Sequence, residues 1–294
     1  MLETLINPKK AERRPWQMVF IGILYAAVSL FVVDFLFLKN YVFEKHISLL
    51  IICFTVIFSI PFFFYMIKLE EEKDIKISNE KKLIKEHSRA LSALLFLFLG
   101  YVIAFSILFM VMPRETTSAN FKAQIETYCL INSKFNVEQC VTATLTGQQI
   151  SERAIEKIPR IKEGMTRIST ILSNNFYVLI FSLLFSFLFG AGAIFILAWN
   201  ASVIAAAIGI FTKSNVANLH FGLARYLLHG LPEIASYFVA ALAGGIISTA
   251  IIKHEFGREK FWHILQDSLD LIVLALVILI AAAFIEVFIT PLLF

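Results

Sequence analysis

Apolar positions along this chain fall in long unbroken blocks, separated by short polar or charged stretches. A helix needs about 20 apolar residues to cross the hydrocarbon core of a bilayer. Blocks of that kind occur at 17–38, where Asp34 is the one charge, at 47–67, which contains Pro61, and at 90–112. A polar stretch follows at 113–175. The next apolar run, 176–211, has 36 residues, or about 54 Å as a helix, too long for one crossing. Trp199-Asn200-Ala201-Ser202 is the natural break, because Asn and Ser favour caps and turns. The remaining piece, 201–211, is either a short crossing or a re-entrant half-helix. Two more blocks, 232–252 and 269–293, complete the pattern. The predicted fold is an all-α polytopic bundle of about seven spans, or six plus a re-entrant half-helix, with a helical extracytoplasmic segment. It divides into a three-helix part (1–112), the polar segment (113–175) and a Gly/Ala/Ser-richer membrane part (176–294).

Charge placement orients it. Lys9, Lys10, Arg13 and Arg14 precede the first block, and the 68–89 loop carries Lys68, Lys73, Lys76, Lys81, Lys82, Lys85 and Arg89. The 39–46 loop has only Lys39 and Lys45. The positive-inside rule therefore predicts a cell-membrane protein with a cytoplasmic N-terminus and an external 113–175 segment. Seven spans put Lys253, Arg258 and Lys260 inside as well.

The external segment is too long for a plain connector. Ile150, Ala154, Ile158, Ile161, Met165, Ile168 and Leu172 recur at helical spacing, which predicts an amphipathic helix over 149–172, bent at Pro159. It is either a docking surface for an extracytoplasmic protein, through 121–172, or a helix lying on the bilayer or on its own spans. Cys129 and Cys140 flank ten residues in the same segment. Outside the membrane they either close a small loop as a disulfide or stay as free thiols. Cys53 lies within a span and reads as packing.

Ionisable residues inside a membrane are costly and mark functional candidates. Three places qualify: His229 and Glu233 in Leu228-His229-Gly230-Leu231-Pro232-Glu233, Glu286 near the end of the last block, and Asn200. Glu233 at a helix start after Pro232 would meet the positive end of the helix dipole. In one continuous helix, His229 and Glu233 would instead share a face. Because 253–268 joins their two spans, Glu233 and Glu286 must face the same leaflet, near enough to form one polar cluster with His229. For Asn200 the structural alternative is to cap a helix starting at Ala201. Ser236, Ala240, Gly244 and Ser248, and Ser182, Ser186 and Gly190, recur every four residues. Such stripes let helix backbones approach closely, within the chain or between copies in a homo-oligomer.

Composition sharpens the class. The chain is 59% hydrophobic and 16% charged, with mean hydropathy +0.78, against about 25% charged in soluble domains. This excludes a soluble enzyme, a disordered chain and a nucleic-acid-binding module; the net charge of +4 reflects cations at helix ends. No His-Glu-x-x-His, Gly-x-Ser-x-Gly, Walker A or Gly-x-Gly-x-x-Gly motif is present. No metal, cofactor or catalytic residue is implied, and an enzyme is not expected.

Four stretches resemble the stage II sporulation protein M family, all within 176–291. They are Phe189-Gly190-Ala191-Gly192 leading to Leu197-Ala198-Trp199-Asn200, then Ala207-Ile208-Gly209, then the His229-Gly230-Leu231-Pro232-Glu233 box followed by Ala240-Ala241-Leu242-Ala243-Gly244, and the ending Ile285-Glu286-Val287-Phe288-Ile289-Thr290-Pro291. The resemblance implies a multi-pass protein without catalytic activity, whose sporulation members act with peptidoglycan-degrading partners. The resulting expectation is a membrane scaffold or assembly protein that recruits an extracytoplasmic partner for cell-envelope remodelling. The alternative is an ion-coupled transporter or channel that uses Glu233, Glu286 and His229.

Overall fold

The computed structural model describes residues 7–38, 40–77, 80–132, 140–141, 161–189, 194–213, 219–252 and 259–293. Among them the regular structure is helical, and six helices are long and apolar enough to span a membrane.

The chain enters through a short helix, α1 (Pro8–Arg13), started by Pro8 in its first turn and by the Asn7 side chain accepting from Lys10 N–H. Three long helices follow: α2 (Gln17–Phe37), α3 (Ile47–Lys76) and α4 (Glu80–Val111). Pro61 lies inside α3, which runs through it. Both α3 and α4 extend well past the apolar blocks. The residues that read as a charged loop are instead two helical arms, continuous with the spans, because no Gly or Pro interrupts 68–76 or 80–89.

Pro113 sets up α5 (Arg114–Asn120), and α6 (Lys122–Asn132) follows. After them come α7 (Ile161–Phe189), α8 (Ile194–Lys213), α9 (Leu219–Ile252), α10 (Glu259–Phe284), a π-helical turn (Ile285–Ile289) and α11 (Thr290–Leu293).

Three boundaries differ from the sequence reading. Residues 161–172 are the first turns of α7, continuous with the span, rather than part of a separate surface helix. The 149–160 portion and Pro159 lie outside the described residues. Asn200 sits inside α8 rather than at a helix boundary, and 190–193, between α7 and α8, lie outside the described residues. The hydrogen-bonding preference of Asn-Ala-Ser is satisfied there without ending the helix: Asn200 Nδ2 donates to the Ile196 carbonyl (2.7 Å) and Ser202 Oγ to Trp199 (2.7 Å). Finally, α9 is continuous through Gly230 and Pro232; neighbouring helices and side-chain hydroxyls compensate for a proline in a membrane helix.

The helices alternate in direction. Phe98 meets Phe238, and Gly245 lies against Ile67, so α9 runs antiparallel to α4. Gly164, at the start of α7, meets Phe288 after α10, so α7 runs parallel to α9. Connectivity then makes α8 the return crossing. One rim of the bundle carries α1 and the arms of α3 and α4; the opposite rim carries α5, α6 and the π turn. Buried at the centre is α8, with Leu197, Ala198, Ala201, Ala205 and Ile208 fully enclosed. Of the α9 span 78% is buried, against 22% of the α7 span, so α7 is largely lipid-facing and α9 is core. One hydrophobic cluster includes residues from α2 through α10.

Two glycine contacts hold this arrangement. A Cβ on Gly22 would overlap the Leu97 carbonyl oxygen, and one on Gly100 the Val19 carbonyl oxygen, so α2 and α4 touch backbone to backbone. A Cβ on Gly244 would overlap the Leu183 carbonyl oxygen. The two small-residue stripes thus pack α9 on α7: Ser182, Ser186, Ser236 and Ala240 are fully buried. Gly100→Leu and Gly244→Leu should each lower stability by about 1–3 kcal/mol through overpacking. Thermal unfolding in detergent checks this against Leu substitution at the lipid-facing Val273, which should leave the melting temperature unchanged.

Candidate functional site

The predicted intramembrane cluster is partly assembled. Glu233 sits on α9, one turn before Tyr237, whose hydroxyl donates to Glu233 Oε1 (2.7 Å). Glu286 lies in the π turn, which packs on α9, and the two carboxylates are close enough to interact electrostatically. The π turn has a local cause. Pro291 has no N–H and its ring crowds the preceding turn. The ladder shifts register ahead of it, and both Thr290 N–H and Thr290 Oγ1 (3.1 Å) reach back to the Ile285 carbonyl. Such single-turn bulges recur at functional sites. His229 lies one helical turn before Glu233 within α9; its side chain lies outside the described residues. Asn200 does not join the carboxylates, since its amide is bonded within its own helix.

At the same rim the segment after α4 is fastened to the spans. Asn120 Nδ2 donates to Asp34 Oδ2 (2.9 Å), Ala123 N–H to Ser48 Oγ (3.4 Å) and Gln124 Nε2 to Ser202 Oγ (3.2 Å). Phe121 inserts between Phe105 and Phe109. Cys129 and Cys140 are joined by a disulfide, with Cα atoms 5.8 Å apart. Cys129 is fully buried, so the loop the bond closes is rooted in the bundle.

The opposite rim holds an ionic network that the sequence reading missed. Lys73 Nζ bridges Glu12 Oε1 (2.6 Å) and Glu70 Oε1 (2.7 Å), and His87 Nδ1 is 2.7 Å from Glu70 Oε2. Lys73 thus holds the carboxyls of Glu12 and Glu70 side by side. Glu70 is fully buried, although it lies in a charge-dense stretch. On the outer side Glu86 is 3.8 Å from Lys73 and takes two bonds from Arg89 Nη1 (2.7 and 2.9 Å). The signal was present: Glu70 and Lys73 are spaced i,i+3 and follow an apolar helix with no breaker. The element missing from the reading was α1, which brings Glu12 over both arms. Among the described residues no group of three or more His, Cys, Asp or Glu is placed to hold a metal ion.

Burial, with the Glu70 carboxyl beside it, pushes the Glu12 carboxyl up to about 7 from an ordinary value of 4.5. The folded state therefore binds a proton that the unfolded chain has already released. Stability from this group is complete below about pH 4.5 and is lost as pH rises toward 7. Glu12→Gln keeps a donor for Glu70 and cannot ionise. The stability difference between the variant and the natural protein should shift by on the order of 1 kcal/mol in favour of the variant between pH 5 and pH 8. Thermal melts across that range would show it; a pH-independent difference would refute it.

An uncharacterized protein of Methanocaldococcus jannaschii is 30% identical over 125 residues, covering 42% of this chain and 70% of that protein. No solved structure matches. The profile of the family described as stage II sporulation protein M matches residues 18–291. That match takes in α2 to α4 as well as the 176–291 region where the resembling motifs lie, and the chain belongs to the stage II sporulation protein M family.

Proposed function

We propose that this is a non-catalytic, multi-pass membrane scaffold that presents the segment between α6 and α7 to an extracytoplasmic protein of the cell envelope. The observation that carries this reading is the fastening of that segment. Its root makes three polar bonds to α2, α3 and α8 and is closed by the Cys129–Cys140 disulfide. A mere connector needs none of this; a platform that must hold its position does. Orientation has two independent supports. Lys9, Arg13, Lys73, Lys76, Lys85 and Arg89 collect at the α1 rim, as a cytoplasmic face requires. The disulfide lies at the other rim, where an oxidising exterior favours it.

The structure changes which residues a test should remove. Residues 121–129 belong to a helix packed on the bundle and 161–172 are the first turns of α7, so the deletion that leaves both helices intact is 142–158. It should leave the melting temperature unchanged and abolish co-purification of the extracytoplasmic partner from native membranes. An epitope inserted at residue 150 should be reached by antibody on intact cells. Retention of the partner by the deletion protein, or an epitope reached only after lysis, would sink the reading.

A second reading, ion-coupled transport, draws on one observation: two carboxylates, Glu233 and Glu286, on neighbouring helices inside the span beside a π turn. Purified protein in liposomes should then carry a pH-gradient-driven flux that Glu233→Gln and Glu286→Gln each reduce tenfold or more. Absence of flux in the natural protein under proton and sodium gradients removes this reading.

A further inference from the structure

On the outer side of the Glu12–Lys73–Glu70 network, α1, α3 and α4 border a half-open cavity of about 570 Å³, within the range of small-ligand sites. Four cations line it, Lys9, Arg13, Lys73 and Arg89, against two carboxylates, Glu12 and Glu86. The carboxylates are already engaged. Glu12 is held by Lys73 and Glu86 by Arg89, and Glu70 behind them completes the charge balance of Lys73. Lys9 and Arg13 are left over: among the described residues neither makes an ion pair. They lie four residues apart on α1, so they share a face and repel one another. Two like charges at one mouth of a cavity, with a third cation across it on α4, are arranged for an anion that the protein does not itself supply.

The position of the cavity narrows the anion. Three residues after α1, Trp16 is half exposed and stacks edge-on against the exposed Phe20 (6.1 Å) at the start of α2. Aromatic pairs of this kind sit at the headgroup level of a bilayer. The cavity is therefore at headgroup depth, where α2 leaves the hydrocarbon. Leu69 supplies an apolar wall among the charges, suited to the glycerol or alkyl portion of an amphiphile. Guanidinium and ammonium groups converging on one space match phosphate oxygens, Arg by paired donors and Lys as a point charge.

We propose that this cavity binds a phosphate-bearing anion, with Lys9, Arg13 and Arg89 as its principal contacts. The phosphate comes either from the headgroup of an anionic phospholipid or from a free phosphate compound. The site is independent of the scaffold reading and of the segment at the other rim.

The test uses the full-length protein in neutral detergent. Two probes separate the sources: phosphatidylglycerol vesicles, with phosphatidylcholine vesicles as reference, and inorganic phosphate. Retained lipid is read by native mass spectrometry, and both probes by thermal shift. The natural protein should retain phosphatidylglycerol over phosphatidylcholine, or be stabilised by millimolar phosphate, or both; the first identifies a lipid ligand and the second a free one. The variant pair Lys9→Gln with Arg13→Gln should weaken that response at least tenfold. Both side chains are exposed on α1, and each single variant serves if the pair fails to fold. Lys76→Gln, an equal charge change on α3 outside the cavity, should leave it unchanged. No response to either probe, or equal loss in the Lys76 variant, would overturn the proposal.

Discussion

Backbone-to-backbone contact at Gly22 and Gly100 is the constraint on which the rest of this bundle hangs. Lipid tails are as apolar as the side chains they surround, so hydrophobic burial gives little drive for one span to choose another. Close approach supplies dispersion contacts that a lipid cannot match, and only a residue without a Cβ permits it. The crossing of α2 on α4 has a consequence beyond packing. Because α1 precedes α2 by only three residues, fixing α2 against α4 delivers Glu12 to the arms of α3 and α4. Gly244 against Leu183 does the equivalent for α9 and α7.

The charged groups obey the same economy of position. A buried ion pair rarely adds much net stability, since desolvation offsets its attraction, yet breaking one partner away is costly. Glu70, Lys73, Glu12 and His87 draw on α1, α3 and α4 at once, so the network acts on register: it is satisfied only when all three helices are docked together. Its closure by Lys73 distinguishes it from the Glu233–Glu286 pair. There the donor named to Glu233 is a tyrosine hydroxyl on its own helix, and the neighbouring charge is a second carboxylate.

Much of this was legible from apolar block lengths. The long spans follow from block length, and the shared leaflet of Glu233 and Glu286 from connectivity; for Cys129 and Cys140 the sequence left a disulfide and free thiols both open, and the structure pairs them. The failures share a cause. Asn200-Ala201-Ser202 carries the local preference for a cap, but a polar side chain inside a membrane helix can satisfy itself on the carbonyl one turn back, as Asn200 does on Ile196. At Pro232 the sequence left a helix start and a continuous helix both open, and tertiary contacts carry α9 through it. Glu70 was not singled out because its burial depends on α1, nearly sixty residues earlier in the chain. Local chemistry proposes an end or a surface; only the partner helix decides.

The segment between α6 and α7 illustrates the same point in the functional direction. Read by periodicity, 149–172 is one amphipathic unit, and its apolar face invites a partner along its whole length. In the folded chain the second half of that unit, 161–172, is the lead-in to a span, with Gly164 pressed against Phe288. At the other end, residues 120–129 are occupied by Asp34, Ser48, Ser202 and the Phe105–Phe109 pair. The apolar positions at the α6 end, Phe121 and Ile125 among them, therefore serve the bundle. In the scaffold role proposed above, a partner would meet what lies between the two ends, a shorter stretch than the sequence pattern suggests, joined at both ends to helices of the membrane domain.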